Sequence, residues 1–296
     1  MKSGGDACLR AHLELTSARG AGQWLHTVPN KACRKAVDPL QYKTMIQQWL
    51  RSPVFDCDFP CPQCEGIVDR FGDHCLVCSG GGDRTRRHNC LRNEVFHLCA
   101  SAGLAPELEK PGLLCPRPDI GARPENGGEQ DSDPSARRPA DVYLPRWKLG
   151  LPAALDFAVT SGLRTDLLTA STQNASAAPS AYKDHKRTYL NTEDHCRTDG
   201  ITFLPVVAEA LGGGWGPTDC KVWAELAKRK ASITGELEST VVGQVYQSLG
   251  LILHRENARA ILRRGAPAAT FDHHSLAAGL TLQYATADQR CGGNDD

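Results

Sequence analysis

Apolar residues recur along the chain with two different periods, and the switches between them outline the elements. Asp38 followed by Pro39 pairs an N-cap residue with proline at the first helical position, and Met45, Ile46, Trp49 and Leu50 then share one helical face. Leu91, Val95 and Leu98 return at helical spacing and predict a helix over 86–101. A period of two takes over at Val142-Tyr143-Leu144, and again where Leu155, Phe157 and Val159 alternate with Asp156, Ala158 and Thr160. Both stretches predict strands, and Phe203 to Val207 predicts a further, buried one. Residues 163–180 read as a polar connection. Beyond it a helix is expected over 180–193, with Tyr182, Lys186 and Tyr189 on one face, and further helices over 217–230, 236–249 and 255–264.

Three stretches lack any period. Residues 56–85 are rich in Cys, Gly and Asp, as a small module organised by a metal would be. Residues 116–137 are dense in Pro, Gly, Asp, Glu and Ser and read as a flexible insertion, and residues 266–296 read as a disordered tail. The expected organisation is an N-terminal helical segment (1–55), a Cys-rich module (56–85), and an α/β core (86–265) containing the insertion. That core has a small mixed sheet flanked by helices.

With 41% hydrophobic and 23% charged residues, the composition is that of a globular chain. No run approaches a membrane span, and the start Met1-Lys2-Ser3-Gly4-Gly5-Asp6 lacks the apolar stretch of a secretory signal. A soluble, intracellular chain with no membrane partner is expected. In that setting thirteen cysteines, clustered around 57–78, favour thiolate metal ligands over disulfides. The 34 basic and 34 acidic residues cancel, so whole-chain charge does not mark a nucleic-acid binder. Charge is segregated locally, with Arg84, Arg86, Arg87, His88 and Arg92 basic and Glu125, Glu129, Asp131 and Asp133 acidic.

The most specific chemical signal is Cys61-x2-Cys64 followed by His74 and Cys78, because paired thiolates on tight knuckles suit tetrahedral zinc. Cys75 competes with His74 for the third place, and Cys57 is left over. A closed four-ligand site is structural, so any catalytic chemistry lies elsewhere. Asp141 precedes one predicted strand and Asp156 lies in the next, so a hairpin brings the two carboxylates together, where a hard divalent ion binds. Lys186 is placed to point at the sheet, with Lys183 one turn earlier as a substitute. His88 is a candidate for phosphate contact or helix capping, and Asn89 for capping. Arg255, Arg259 and Arg263 form a helical stripe able to follow a DNA backbone or simply to face solvent.

Taken in order, Cys61-x2-Cys64-x9-His74-x3-Cys78, Arg87-His88-Asn89, Arg138-Pro139-Ala140-Asp141-Val142, Asp156-Phe157-Ala158-Val159 and Lys186-x2-Tyr189 resemble one known family. It is the restriction-like endonuclease of site-specific non-LTR retrotransposons, which joins a Cys-Cys-His-Cys zinc knuckle to a PD-(D/E)XK nuclease core. The resemblance spans roughly residues 57–207. It implies that Cys61, Cys64, His74 and Cys78 hold zinc, and that Asp141 and Asp156 hold a catalytic Mg2+ or Mn2+. Lys186 would be the active-site lysine, and Arg87, His88 and Asn89 would meet nucleic acid.

Two departures accompany this. Ala158 stands where most such cores carry the lysine, and Ala140 intervenes between Pro139 and Asp141; Pro118-Asp119 matches the dipeptide but lies far upstream of Asp156. Glu94 and Glu109 are candidate third acids. The implied function is nicking of target DNA in the nucleus, so that the freed 3′-hydroxyl primes reverse transcription, with element RNA and a reverse transcriptase domain as further partners. No polymerase motif occurs, so a fragment or stand-alone descendant of an element is expected. The alternatives are a non-catalytic zinc-containing nucleic-acid-binding module and a zinc-organised protein-interaction domain.

Overall fold

The structure, a computed structural model, describes residues 3–32, 35–114, 139–212 and 215–265. The expected insertion 116–137, with Pro118-Asp119, and the expected tail 266–296 lie outside the described residues. The N-terminal segment forms α1 (Ser3–Ser17), a 3-10 turn (Ala21–His26) and α2 (Pro39–Trp49). Helix α2 starts where its cap chemistry predicts, the Asp38 carboxylate accepting from the amides of Leu40 and Gln41 at 2.9 and 3.4 Å. Met45 is buried with Ile46 and Trp49 packed beside it. Leu50, expected on the same face, is 65% exposed because it falls past the last turn.

The Cys-rich module is an antiparallel ribbon of β1 (Phe59–Pro60) and β2 (Ile67–Val68), followed by the single turn α3 (Asp73–Val77). Next comes α4 (Asp83–Ser101), which begins upstream of the expected residue 86, so Asn89 lies inside the helix and caps nothing.

The main sheet consists of β3 (Glu107–Leu108), β4 (Val142–Leu144), β5 (Ala153–Thr160) and β6 (Thr202–Glu209), adjacent in that order. β3, β4 and β5 are antiparallel, whereas β5 and β6 are parallel. A parallel pair needs a crossover, supplied here by α5 (Leu168–Ser171), α6 (Ala177–Thr188) and α7 (Thr192–Thr198). Residues 163–180 are therefore not a plain polar connection. The helix expected over 180–193 breaks after Thr188, because Leu190 and Asn191 adopt left-handed backbone with φ 53°.

Both faces of the sheet are covered. Leu155 and Phe157 of β5 and Val206 and Ala208 of β6 pack against Leu91 and Val95 of α4, Trp223 of α8 (Pro217–Thr234) and Val245 of α9 (Glu238–Gly265). On the opposite face Ala154 and Phe203 pack against Cys196 of α7, and α6 lies along β5 and β6.

Where two helices were expected over 236–249 and 255–264, α9 runs unbroken for 28 residues, about 42 Å. Residues 248–254 are buried all round, which removes the polar face that would have displayed the helical period. Helix α9 supports α2, α4 and α8 along its length and sets Ala260 and Ile261 against the Cys-rich module. Among the described residues no helix is long and apolar enough to cross a membrane.

Candidate functional site

Cys61, Cys64, His74 and Cys78 bring one ligand atom each within 4.8 Å of one another, an arrangement compatible with a zinc site. The sulfurs of Cys61 and Cys78 are 3.8 Å apart, those of Cys64 and Cys78 3.5 Å, and Cys64 Sγ is 3.3 Å from His74 Nε2. A tetrahedron built on metal–sulfur bonds of about 2.3 Å has edges of about 3.8 Å, so the spacing fits the ion. Of the two candidates for third ligand, His74 joins this set. Cys75 instead sits in a small apolar cluster with Val68, Ala260 and Ile261, where burial pushes its thiol pKa far up. Cys57 is exposed and outside the set. Burial also works to raise the Cys61 thiol, but hydrogen bonds involving the Gln63 amide, His74 and Cys64 bring it down to about 6, favouring the thiolate that binds metal.

Local sequence explains this geometry. A side chain at Gly66 would put a Cβ 2.5 Å from His74 Cε1, and one at Gly80 would run into the Gln63 carbonyl. Asp69 orients α3 by accepting from the amides of Phe71, Asp73 and His74 at 2.9, 3.2 and 2.8 Å. The module is fastened at both ends. Arg51 holds Asp73 through two 2.6 Å bonds, and Asp83 receives Arg259, Arg263 and Arg264 at 2.6, 2.7 and 2.8 Å.

That second fastening corrects the reading of the arginine stripe. Arg259 and Arg263 turn inward to Asp83, and Arg255 is 3.8 Å from Glu256, because this side of α9 faces the start of α4. Arg87, expected at nucleic acid, is likewise buried, donating to Asn257 Oδ1 at 2.8 Å and to the Leu76 carbonyl at 2.7 Å. It ties α4 to α9 and α3, and its guanidinium is not presented to a phosphate.

The two aspartates do meet. Val142 pairs with Leu155, and the Asp141 amide donates to the Leu155 carbonyl at 2.9 Å, which sets Asp141 beside Asp156. Lys186 Nζ donates to Asp156 Oδ2 at 2.6 Å. His88 Nε2 lies 3.1 Å from Asp141 Oδ2, and the Phe157 amide donates to the same oxygen at 2.6 Å. Lys183 is elsewhere, buried in a 2.6 Å ion pair with Asp219. Asn89, beside His88, has its Oδ1 3.2 Å from His88 Nδ1. Of the possible third acids, Glu109 is paired with Arg92, and Glu94 is half-buried on α4 without an ion pair among the described residues.

The electrostatics of the two acids differ. Burial acts to raise the Asp141 pKa, yet the His88 contact, the Phe157 amide and the Lys186 charge together hold it below the usual carboxylate value. Burial dominates at Asp156 and, with the Asp141 carboxylate beside it, pushes the pKa up to about 6 against the opposing pull of Lys186. Two adjoining, half-buried carboxylates set oxygen atoms side by side, the donor type that hard divalent cations take as ligands. The His88 contact was missed in the sequence because its partner lies 53 residues on, and nothing near His88 announces it.

Compared with known proteins, the chain matches no family model, no curated protein and no solved structure.

Proposed function

We propose that this chain is a metal-dependent DNA endonuclease with a restriction-like PD-(D/E)XK core and a structural zinc, similar to the nuclease of site-specific non-LTR retrotransposons. The observation that carries this reading is the meeting of Asp141, Asp156 and Lys186, with His88, from segments scattered along the sequence. Asp141 and Asp156 would hold Mg2+ or Mn2+, which would supply Lewis acidity towards water and charge neutralisation at a scissile phosphodiester. His88 and the Phe157 amide fix the rotation of the Asp141 carboxylate. Lys186 offers its ammonium group beside Asp156, where negative charge develops on the phosphoryl oxygens. It takes from α6 the part that Ala158 cannot play from the strand. The zinc set, closed by four protein ligands, stabilises the fold and takes no part in cleavage. By the same resemblance, element RNA and a reverse transcriptase domain are partners and the site of action is nuclear.

Relaxation of supercoiled plasmid by purified protein in Mg2+ or Mn2+ at low salt tests the reading. The wild type is expected to nick, and Asp156→Ala and Lys186→Ala to lose about 100-fold or more of the rate. A wild-type protein that contains zinc and retains DNA, yet leaves the plasmid intact, points instead to a non-catalytic binding module.

A further inference from the structure

Further along β5 from the paired acids, which do not line it, lies a cavity of about 510 Å³, walled by the end of β5 and its following loop, by α6 and by the Cys-rich module. Its distance from the acids follows from the strand. Asp156 and Thr160 share one face of β5, and four residues of strand span about 13 Å. Tyr182 bridges the interval, lining the cavity while its ring centroid stands 5.9 Å from the Lys186 ammonium that binds Asp156.

Three features point to a ligand. Thr160 lines the cavity at 5% exposure, and its hydroxyl, enclosed in the wall, has no hydrogen-bond partner, an unfavourable state that a polar group relieves once a small shift of the wall admits it. Tyr182 adds a half-buried aromatic ring. Arg84 is exposed at the wall and makes no ion pair among the described residues, whereas the acids there are already engaged, Asp73 by Arg51 and Asp166 by Arg164. A cavity of this size suits a compact ligand, and an aromatic face, a hydroxyl and a free cation together suit a base, its sugar and its phosphate.

We propose that this cavity receives an unpaired nucleotide of the strand being cut, a few positions from the scissile phosphate. Tyr182 stacks on the base, Thr160 bonds to its polar edge or sugar, and Arg84 meets the phosphate. A paired base is already stacked within its duplex, so the cavity selects DNA that is frayed, gapped or flapped beside the cut. The proposal rests on the nuclease reading for its substrate.

The test is a binding titration of the full chain with Ca2+ replacing Mg2+, so that strands stay intact. One DNA is a blunt duplex, and the other carries a short single-stranded overhang containing 2-aminopurine. The overhang is expected to bind about ten-fold more tightly, with 2-aminopurine fluorescence quenched by stacking. Tyr182→Ala removes the quench and most of the preference, Tyr182→Phe keeps both, and Thr160→Val, of nearly the same shape, weakens overhang binding alone. Equal affinity for the two DNAs, or a quench that survives Tyr182→Ala, overturns the proposal. Plasmid nicking separates it from the parent reading. Equal binding by a protein that nicks removes only the nucleotide cavity, whereas overhang preference in a protein that never nicks removes the nuclease and the cut strand, and keeps the cavity as a site for an unpaired nucleotide.

Discussion

His88 and His254 carry the same ring under opposite electrostatic conditions. The contact with Asp141 raises the His88 pKa, favouring the imidazolium. His254 is wholly buried, with ring centroids 4.5 Å from Trp24 and 5.4 Å from Trp49, and burial pushes its pKa down to about 3. A histidine with a folded pKa below its unfolded value contributes stability above the unfolded pKa. That stability is lost as pH falls from about 6.5 towards 3, at up to about 1.4 kcal/mol per pH unit. His254→Phe is expected to remove this part of the acid sensitivity, so the gap between wild-type and variant melting temperatures should shift in the variant's favour as pH drops through that window. A gap independent of pH would contradict the assignment.

The elements most legible in the sequence are those whose signals are local. The start of α2 follows from Asp38 and Pro39, and β4, β5 and β6 follow from their apolar spacing. The Cys-Cys-His-Cys set was legible as a spacing, but the choice of His74 over Cys75 depends on how α3 is turned. Similarly, the helical phase of Tyr182, Lys186 and Tyr189 singled out Lys186, whereas the partner of Lys183 lies on α8. Charges that pair across the fold were not legible. Arg259 resembled a surface residue because Asp83, which receives it, lies 176 residues away. This junction of α4 with α9 is expected to be costly to break: Asp83→Ala leaves the buried guanidinium group of Arg264 and the largely buried one of Arg259 facing a gap and should lower stability by roughly 3–5 kcal/mol. Urea unfolding at neutral pH measures it, and a loss below about 1 kcal/mol would mean that the arginines find other partners.

For the whole molecule, the Cys-Cys-His-Cys set and the core are coupled through α9, which carries Val245 and Leu249 in the main core and Ala260 and Ile261 against Cys61 and Cys78. Chelation is therefore expected to lower the thermal transition of the entire chain, because zinc binding energy is folding energy and the helix distributes it. Circular dichroism with and without chelator checks this; a separate early transition that leaves the main one in place would show the module to be independent. The same helix imposes an order in time. The contact of Asp83 with Arg264 spans 181 residues, so at about 5–20 residues per second a ribosome needs roughly 10–35 s to supply the cover after the knuckle has emerged. During that interval the metal ligands stand open to whatever ion or oxidant the cell presents. A chain that ends before Ala260 never closes over them, which makes the last turns of α9 the step that covers the Cys-rich module.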